Sequence, residues 1–266
     1  NQWGLNKNDV QTLIIRNSFS FKDQARIYVP PKKQLTSFNK KGYSDDYLKN
    51  QSVHIKSVLD ITGGRSLILV TSKKYLDSLY ENLLSYAKEK NILLLKQGMA
   101  SVDQLSKEFE TNETSVLIGT KSFFSGISIK GKSLISVIIT KLPFAVKDDP
   151  YLKLIGTNFN PSEFREKIVF PDMMIKLKQQ VGRLIRDIKD FGVITILDSR
   201  FLGEYEGKKM SQYFVDQGYI ITQEINDIKA FLNNCMKNGL EIDYPLFNRE
   251  SLIIPKSLEK IVPRHN

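Results

Sequence analysis

The sequence predicts an α/β domain with a mainly parallel sheet flanked by helices. Short β-type runs alternate with helical stretches along most of the chain, the order that builds a parallel sheet with crossover helices. Within the helical stretches, apolar residues recur three and four positions apart, as a core-facing stripe requires. At 41% hydrophobic and 26% charged over 266 residues, the chain has the composition and length to bury a sizeable core.

The first strand is expected at 13–16 and the second at 26–29, before a loop over 30–44 that runs from Pro30-Pro31 through Lys40-Lys41-Gly42. A helix over 45–61 leads to a strand at 66–71. The helix at 73–90 sets Leu76, Leu79, Leu83 and Ala87 on one face. A strand at 92–95, a helix at 101–110 and strands at 115–119 and 134–140 follow. Pro143, Pro150 and Pro161 make 141–161 a loop. A helix over 171–189, a strand at 193–197 and a helical extension from about 217 complete the order.

The formal net charge is +10, from 39 Lys+Arg against 29 Asp+Glu. That surplus favours a polyanionic partner, because each phosphate neutralised releases condensed counterions; a general Lys and Asn richness is the bland alternative. Cys235 stands alone, so this chain builds no disulfide, zinc site or iron–sulfur cluster of its own, and a reducing cytoplasm fits best. His54 and His265 belong to no metal-ligand spacing. No run approaches the ~18 apolar residues of a membrane helix, and no secretory signal opens the chain. The start at Asn1, without an initiator Met, is that of a fragment.

Gly126-Ile-Ser-Ile-Lys-Gly131-Lys132-Ser133 fits the phosphate-binding pattern G-x-x-x-x-G-K-[ST] letter for letter. Such a loop works only where a helix follows, because the free amides of the helix N-terminus hold the phosphates. Here Ser133-Leu-Ile-Ser-Val-Ile-Ile-Thr140 follows, which is β-branched and strand-like. The match is set aside.

Gln179-Gln-Val-Gly182-Arg183-Leu-Ile-Arg186 carries more chemistry. At about 100° per residue, Leu177, Val181, Leu184 and Ile188 form one stripe of the expected helix, with Gln179, Gly182, Arg183 and Arg186 opposite. A glycine inside a helix costs roughly 1 kcal/mol relative to alanine, so its missing side chain has a use. Two guanidinium forks, an amide and a close-approach glycine suit a phosphate chain; the alternative is a solvated basic face. Elsewhere, Thr71 and Ser72 stand where a strand gives way to a helix, suited to a backbone phosphate or to a plain N-cap. Gly119, Thr120 and Ser122 follow another strand's carboxyl end, the edge where open α/β sheets bind ligands. Phe123 and Phe124 are core residues or a base-stacking surface, the core being favoured.

In this order the segments resemble the DinG/XPD-like superfamily 2 DNA helicases, over roughly residues 13–216. Gln179–Arg186 resembles motif VI, and Ser66-Leu-Ile-Leu-Val-Thr71-Ser72 resembles motif IV. Lys96-Gln97-Gly98 and the stretch from Ser115 to Gly126 resemble the next strand end and motif V. Phe19-Ser-Phe-Lys-Asp-Gln24-Ala25-Arg26, Lys141-Leu-Pro143-Phe144, Asp149-Pro150 and Asp198-Ser-Arg200 complete the series. The resemblance implies a second RecA-like motor domain at 1–216, with 1–30 leading in and 141–170 inserted between motifs V and VI, then the helical extension at 217–266. Arg183 and Arg186 would act as arginine fingers on ATP, with Gln179 and Gly182 shaping the nucleotide site. Thr71, Ser72, Gly119, Thr120 and Ser122 would contact single-stranded DNA. ATP and Mg2+ would be held mainly by the N-terminal helicase domain of the same protein, whose Walker motifs would lie before Asn1, so this chain alone is expected to be inactive. Ser125 and Ser128 replace acidic residues usual in motif V. That departure keeps open a nucleic-acid-binding or nuclease-supporting module with impaired ATP coupling.

Overall fold

The computed structural model describes residues 19–36, 44–120, 123, 134–145 and 149–238. Among them, seven strands form one sheet: β1 (Ala25–Tyr28), β2 (Ser66–Val70), β3 (Leu93–Lys96), β4 (Ser115–Thr120), β5 (Ser136–Ile139), β6 (Gly192–Ile196) and β7 (Ile220–Thr222). Their order is β3-β4-β2-β5-β6-β1-β7, and every pairing is parallel. The expected strand at 13–16 lies outside the described residues.

A parallel sheet must be covered on both faces, and the alternation along its strands shows how. Leu67, Leu69, Leu117, Val137, Ile139, Ile194 and Ile196 point to one side. They meet Leu105 and Phe109 of α4 (Val102–Thr111), Met173, Leu177 and Val181 of α7 (Phe170–Val181), and Met210 and Phe214 of α8 (Glu206–Asp216). Ile68, Val70, Val116, Ile118, Ile138 and Val193 point to the other. There they pack on α2 (Asp45–Thr62), α3 (Lys73–Glu89) and α9 (Ile225–Asn238), through residues such as Ile55, Leu79 and Leu232. The result is a three-layer α/β/α domain of RecA-like type. All four predicted stripe residues of α3, Leu76, Leu79, Leu83 and Ala87, are buried.

Helix starts follow local chemistry. Ser44, Ser72 and Ser101 each accept a backbone N–H three residues ahead, from Tyr47, Tyr75 and Gln104, and so cap α2, α3 and α4. At the far end of α2, Gly63 takes the left-handed conformation at φ 64° and closes the helix.

Three expectations need correction. The loop expected at 141–161 contains α5 (Pro150–Gly156), because proline is accepted in a first helical turn. The helix expected at 171–189 begins earlier and ends earlier. α6 (Pro161–Phe164), capped by Asn160, passes through a π turn at Arg165–Val169 into α7, which stops at Val181. Past 217, β7 joins the sheet edge before α9 forms, so that region is not helical throughout. No helix among the described residues is long and apolar enough to cross a membrane.

Candidate functional site

The end of α7 decides where the arginines stand. Gly182 is its C-cap, donating its N–H to Lys178 O at 2.8 Å. Arg183 N then bonds Gln180 O at 3.3 Å and Leu184 N bonds Val181 O at 3.2 Å, a tightened turn rather than another α-helical one. Gly182, Arg183 and Arg186 therefore lie on a turn and loop, not on a helix face. Of the predicted stripe, Leu177, Val181 and Leu184 are buried, but Ile188 is 41% exposed because the helix never reaches it.

Two buried side chains hold this loop. Asp190 Oδ2 accepts Arg186 N at 2.9 Å and Asp187 N at 2.8 Å. Gln24, from just before β1, donates its amide to the carbonyls of Asp187, Ile188 and Asp190 at 3.1, 3.3 and 2.9 Å. Side chains are thus competing with the helix for backbone partners, and they win.

The loop brings two like charges together. Arg183 is half-buried, and burial first, then the neighbouring Arg186 charge, pushes its guanidinium below the usual range. The carboxyl end of α7 offsets this in part, since that end of a helix favours cations. A bound anion would relieve both costs to Arg183. Gln179 is exposed near the end of α7, while its neighbour Gln180 is buried at 3% exposure.

The remaining predicted residues stand at the other edge of the sheet. The arginine loop precedes Gly192, so it borders the amino-terminal edge of β6. Gly119 and Thr120 end β4 and pair with Leu69 and Val70 at the end of β2, so Thr71 and Ser72 come next to them at the carboxyl-terminal edge. Strands of this length separate the two edges by roughly 15–20 Å. The structure groups Thr71, Ser72, Gly119 and Thr120, and keeps them apart from Arg183 and Arg186. Ser72 serves as the N-cap of α3, which also aims the helix's first amides at this edge. Phe123 is buried in the core, as favoured. Ser122, Phe124, Ser125 and Ser128 lie outside the described residues. So does the span 126–133, though the strand β5 that soon follows it is not the helix a phosphate loop requires.

Two residues at the carboxyl edge were absent from the predicted set. Gln97 Oε1 accepts both Thr120 N at 3.0 Å and the Thr120 hydroxyl at 2.9 Å, fixing that side chain. Lys141, just beyond β5, is half-buried, and burial and the charge of Arg200 depress its ammonium. Its sequence neighbour Leu142 donates its N–H to Asp198, which also holds Arg200 in a bidentate pair at 2.9 and 2.6 Å. A cavity of about 460 Å³ opens beside Arg200, Arg165 and Lys209. Each of these cations faces a carboxylate, of Asp198, Glu206 and Glu166 respectively, so the lining offers a ligand little net charge.

The family of helicase C-terminal domains matches residues 55–217, more than half of the chain. The chain is 31% identical over 228 residues to the ATP-dependent DNA helicase YoaA of Haemophilus influenzae, covering 83% of this chain and 33% of that protein. It is 28% identical over 227 residues to the 3'-5' exonuclease DinG of Staphylococcus haemolyticus, covering 85% and 24%. It thus spans about a third or less of these curated relatives. Among solved structures, apo XPD superposes with a TM-score of 0.58 at 20% identity, over 75% of this chain and 40% of that one. Xpd4 of S. tokodaii gives 0.56 at 15% identity, over 82% and 42%. Those two likenesses are of fold, and they agree with the parallel sheet and its order. By family match and architecture together, the chain belongs to the helicase C-terminal domains, and it has a RecA-like fold.

Proposed function

We propose that this domain closes over ATP held by an N-terminal motor domain of the same protein, while its carboxyl edge grips single-stranded DNA. The observation that carries the reading is the pinned loop that presents Arg183 and Arg186 three residues apart, with Arg183 half-buried and its guanidinium held below the usual range by burial and then by the Arg186 charge. Guanidinium forks match phosphate oxygens, and an arginine placed on the transferring phosphoryl group neutralises charge that develops there. Gln179 and Gly182 shape the approach to that loop. Thr71, Ser72, Gly119, Thr120 and Ser122 supply hydroxyls and amides to the DNA backbone, which needs no base readout.

Among the described residues, no group of three or more His, Cys, Asp or Glu is placed to hold a metal ion. Mg2+ is usually held by one or two carboxylates together with the phosphates of its nucleotide, so we assign the ion, with ATP, mainly to the N-terminal domain. The lone buried Cys235 suits a reducing cytoplasm.

The test measures ATP hydrolysis by the full-length protein with and without single-stranded DNA, beside the same assay on this chain alone. The full-length protein should hydrolyse ATP faster with DNA. The chain alone should neither hydrolyse ATP nor bind it at micromolar concentration, yet should bind single strands with log affinity falling by roughly 0.7 per phosphate contact against log salt. Tight ATP binding by the chain alone would contradict the proposal. Ser125 and Ser128 favour a second reading, a nucleic-acid-binding or nuclease-supporting module. DNA binding with no DNA-stimulated hydrolysis in the full-length protein would select it.

A further inference from the structure

We infer that Gln24 and Asp190 are positioning residues for the arginine loop, and that Gln24 ties the loop to the segment leading into the domain. The inference rests on the reading of Arg183 and Arg186 given above.

Left to local preference, residues 183–189 would extend α7. Leu184 and Ile188 continue its apolar spacing, and Arg, Leu and Lys are good helix formers. The loop instead takes its backbone bonds from two side chains. Asp190 satisfies the N–H groups of Arg186 and Asp187 with a single buried oxygen. Gln24 has no exposed surface, and its two amide hydrogens sit among three loop carbonyls. Its own oxygen accepts Ser20 N at 2.9 Å. Glutamine suits both tasks at once, since it presents donors on one side and an acceptor on the other. Asparagine is a methylene shorter, and glutamate would turn lone pairs towards carbonyl oxygens.

The anchor is itself rigid. α1 (Phe21–Gln24) is a single turn whose Phe21 ring stacks on Tyr219 at 4.3 Å between centroids. The amide of Gln24 is therefore fixed from the lead-in side before it meets the loop. Gln24 holds Asp190 O and the Asp190 side chain accepts Arg186 N, so the two pins meet at Asp190, which bonds the backbone of the residue assigned to the phosphoryl group.

The test uses the full-length protein and the substitutions Q24M, Q24E and R186A. Each is measured for ATP turnover with saturating single-stranded DNA, KM for ATP, single-strand affinity and thermal melting. Methionine keeps the length and removes the donors. Q24M should lower turnover roughly 10- to 100-fold, as a misplaced catalytic group does, with single-strand affinity unchanged. Q24E should be impaired at neutral and higher pH and recover as pH falls. A buried carboxyl facing carbonyls has a raised pKa, and once protonated it donates one hydrogen bond in place of two. A folding defect alone would recover over the same pH range, so melting is followed beside turnover: turnover that recovers while Tm stays constant marks positioning, and the wild type should show neither change.

Normal turnover in R186A would overturn the arginine reading, and this inference with it. Loss of turnover in R186A beside normal turnover in folded Q24M would overturn the inference alone. If Q24M does not fold, Q24E decides: turnover that recovers at low pH with Tm unchanged supports the proposal, and a pH profile parallel to the wild type, or turnover that only follows Tm, overturns it.

Discussion

Thr120 shows what single residues contribute and how far a linear reading reaches them. Its place at a strand's carboxyl end marked it as a contact, but its orientation comes from Gln97, 23 residues away. Replacing Gln97 with Leu removes the acceptor for both Thr120 donors without touching the arginine loop. Both donors are then free for phosphate oxygens, so single-strand affinity should rise on the order of two- to tenfold, about the worth of one hydrogen bond, with ATP turnover at saturating DNA preserved. A titration by fluorescence anisotropy reads this; unchanged affinity would remove Thr120 from the DNA edge. Ser72 makes a complementary case. Its hydroxyl caps α3, so Ser72→Ala should cost roughly 0.5–2 kcal/mol of stability in a denaturant melt, whatever it does to DNA.

At the scale of elements, the sheet was legible and the end of α7 was not. Strands buried on both faces leave continuous apolar runs, and six observed strands fall within two residues of their expected bounds. β7 is only Ile220–Thr222, too short to stand out from its helical surroundings. Gly182 marks the stop at Val181 locally, but the loop beyond it is held by Gln24, whose bonds span 163 to 166 residues of sequence, and no local pattern encodes that. The residue types of the phosphate site were thus readable, but the backbone that presents them was not. Gly192 tests the same region. A Cβ there would lie 2.3 Å from Ile135 O and 2.9 Å from Leu184, where β6 starts against β5. Gly192→Ala should cost roughly 1–3 kcal/mol through overpacking, seen as a clear drop in Tm. At Gly182 the added Cβ would come no closer than 3.2 Å, to Lys178 O, so Gly182→Ala should be much milder. Equal melting of the two variants would mean that the crowding at β6 is not as described.

Across the whole molecule, the sheet separates two chemistries. Hydroxyls and amides gather at the carboxyl-terminal edge, and the paired guanidiniums stand at the amino-terminal edge of β6. On this account the domain is one half of a motor, engaging DNA at one edge and completing a nucleotide site at the other. Damage at one edge should therefore leave binding at the other intact. The most direct measurement is steady-state ATP turnover of the full-length protein, with and without single-stranded DNA, for Arg186→Ala and Arg186→Lys. Arginine fingers contribute roughly 10³–10⁵ to turnover in phosphoryl transfer. Lysine should fail nearly as badly as alanine, because an ammonium does not reproduce the planar fork. The account predicts that both variants lose DNA-stimulated turnover while melting and binding single strands like the wild type. Near-normal turnover in both, or normal turnover with weakened DNA binding, would contradict it.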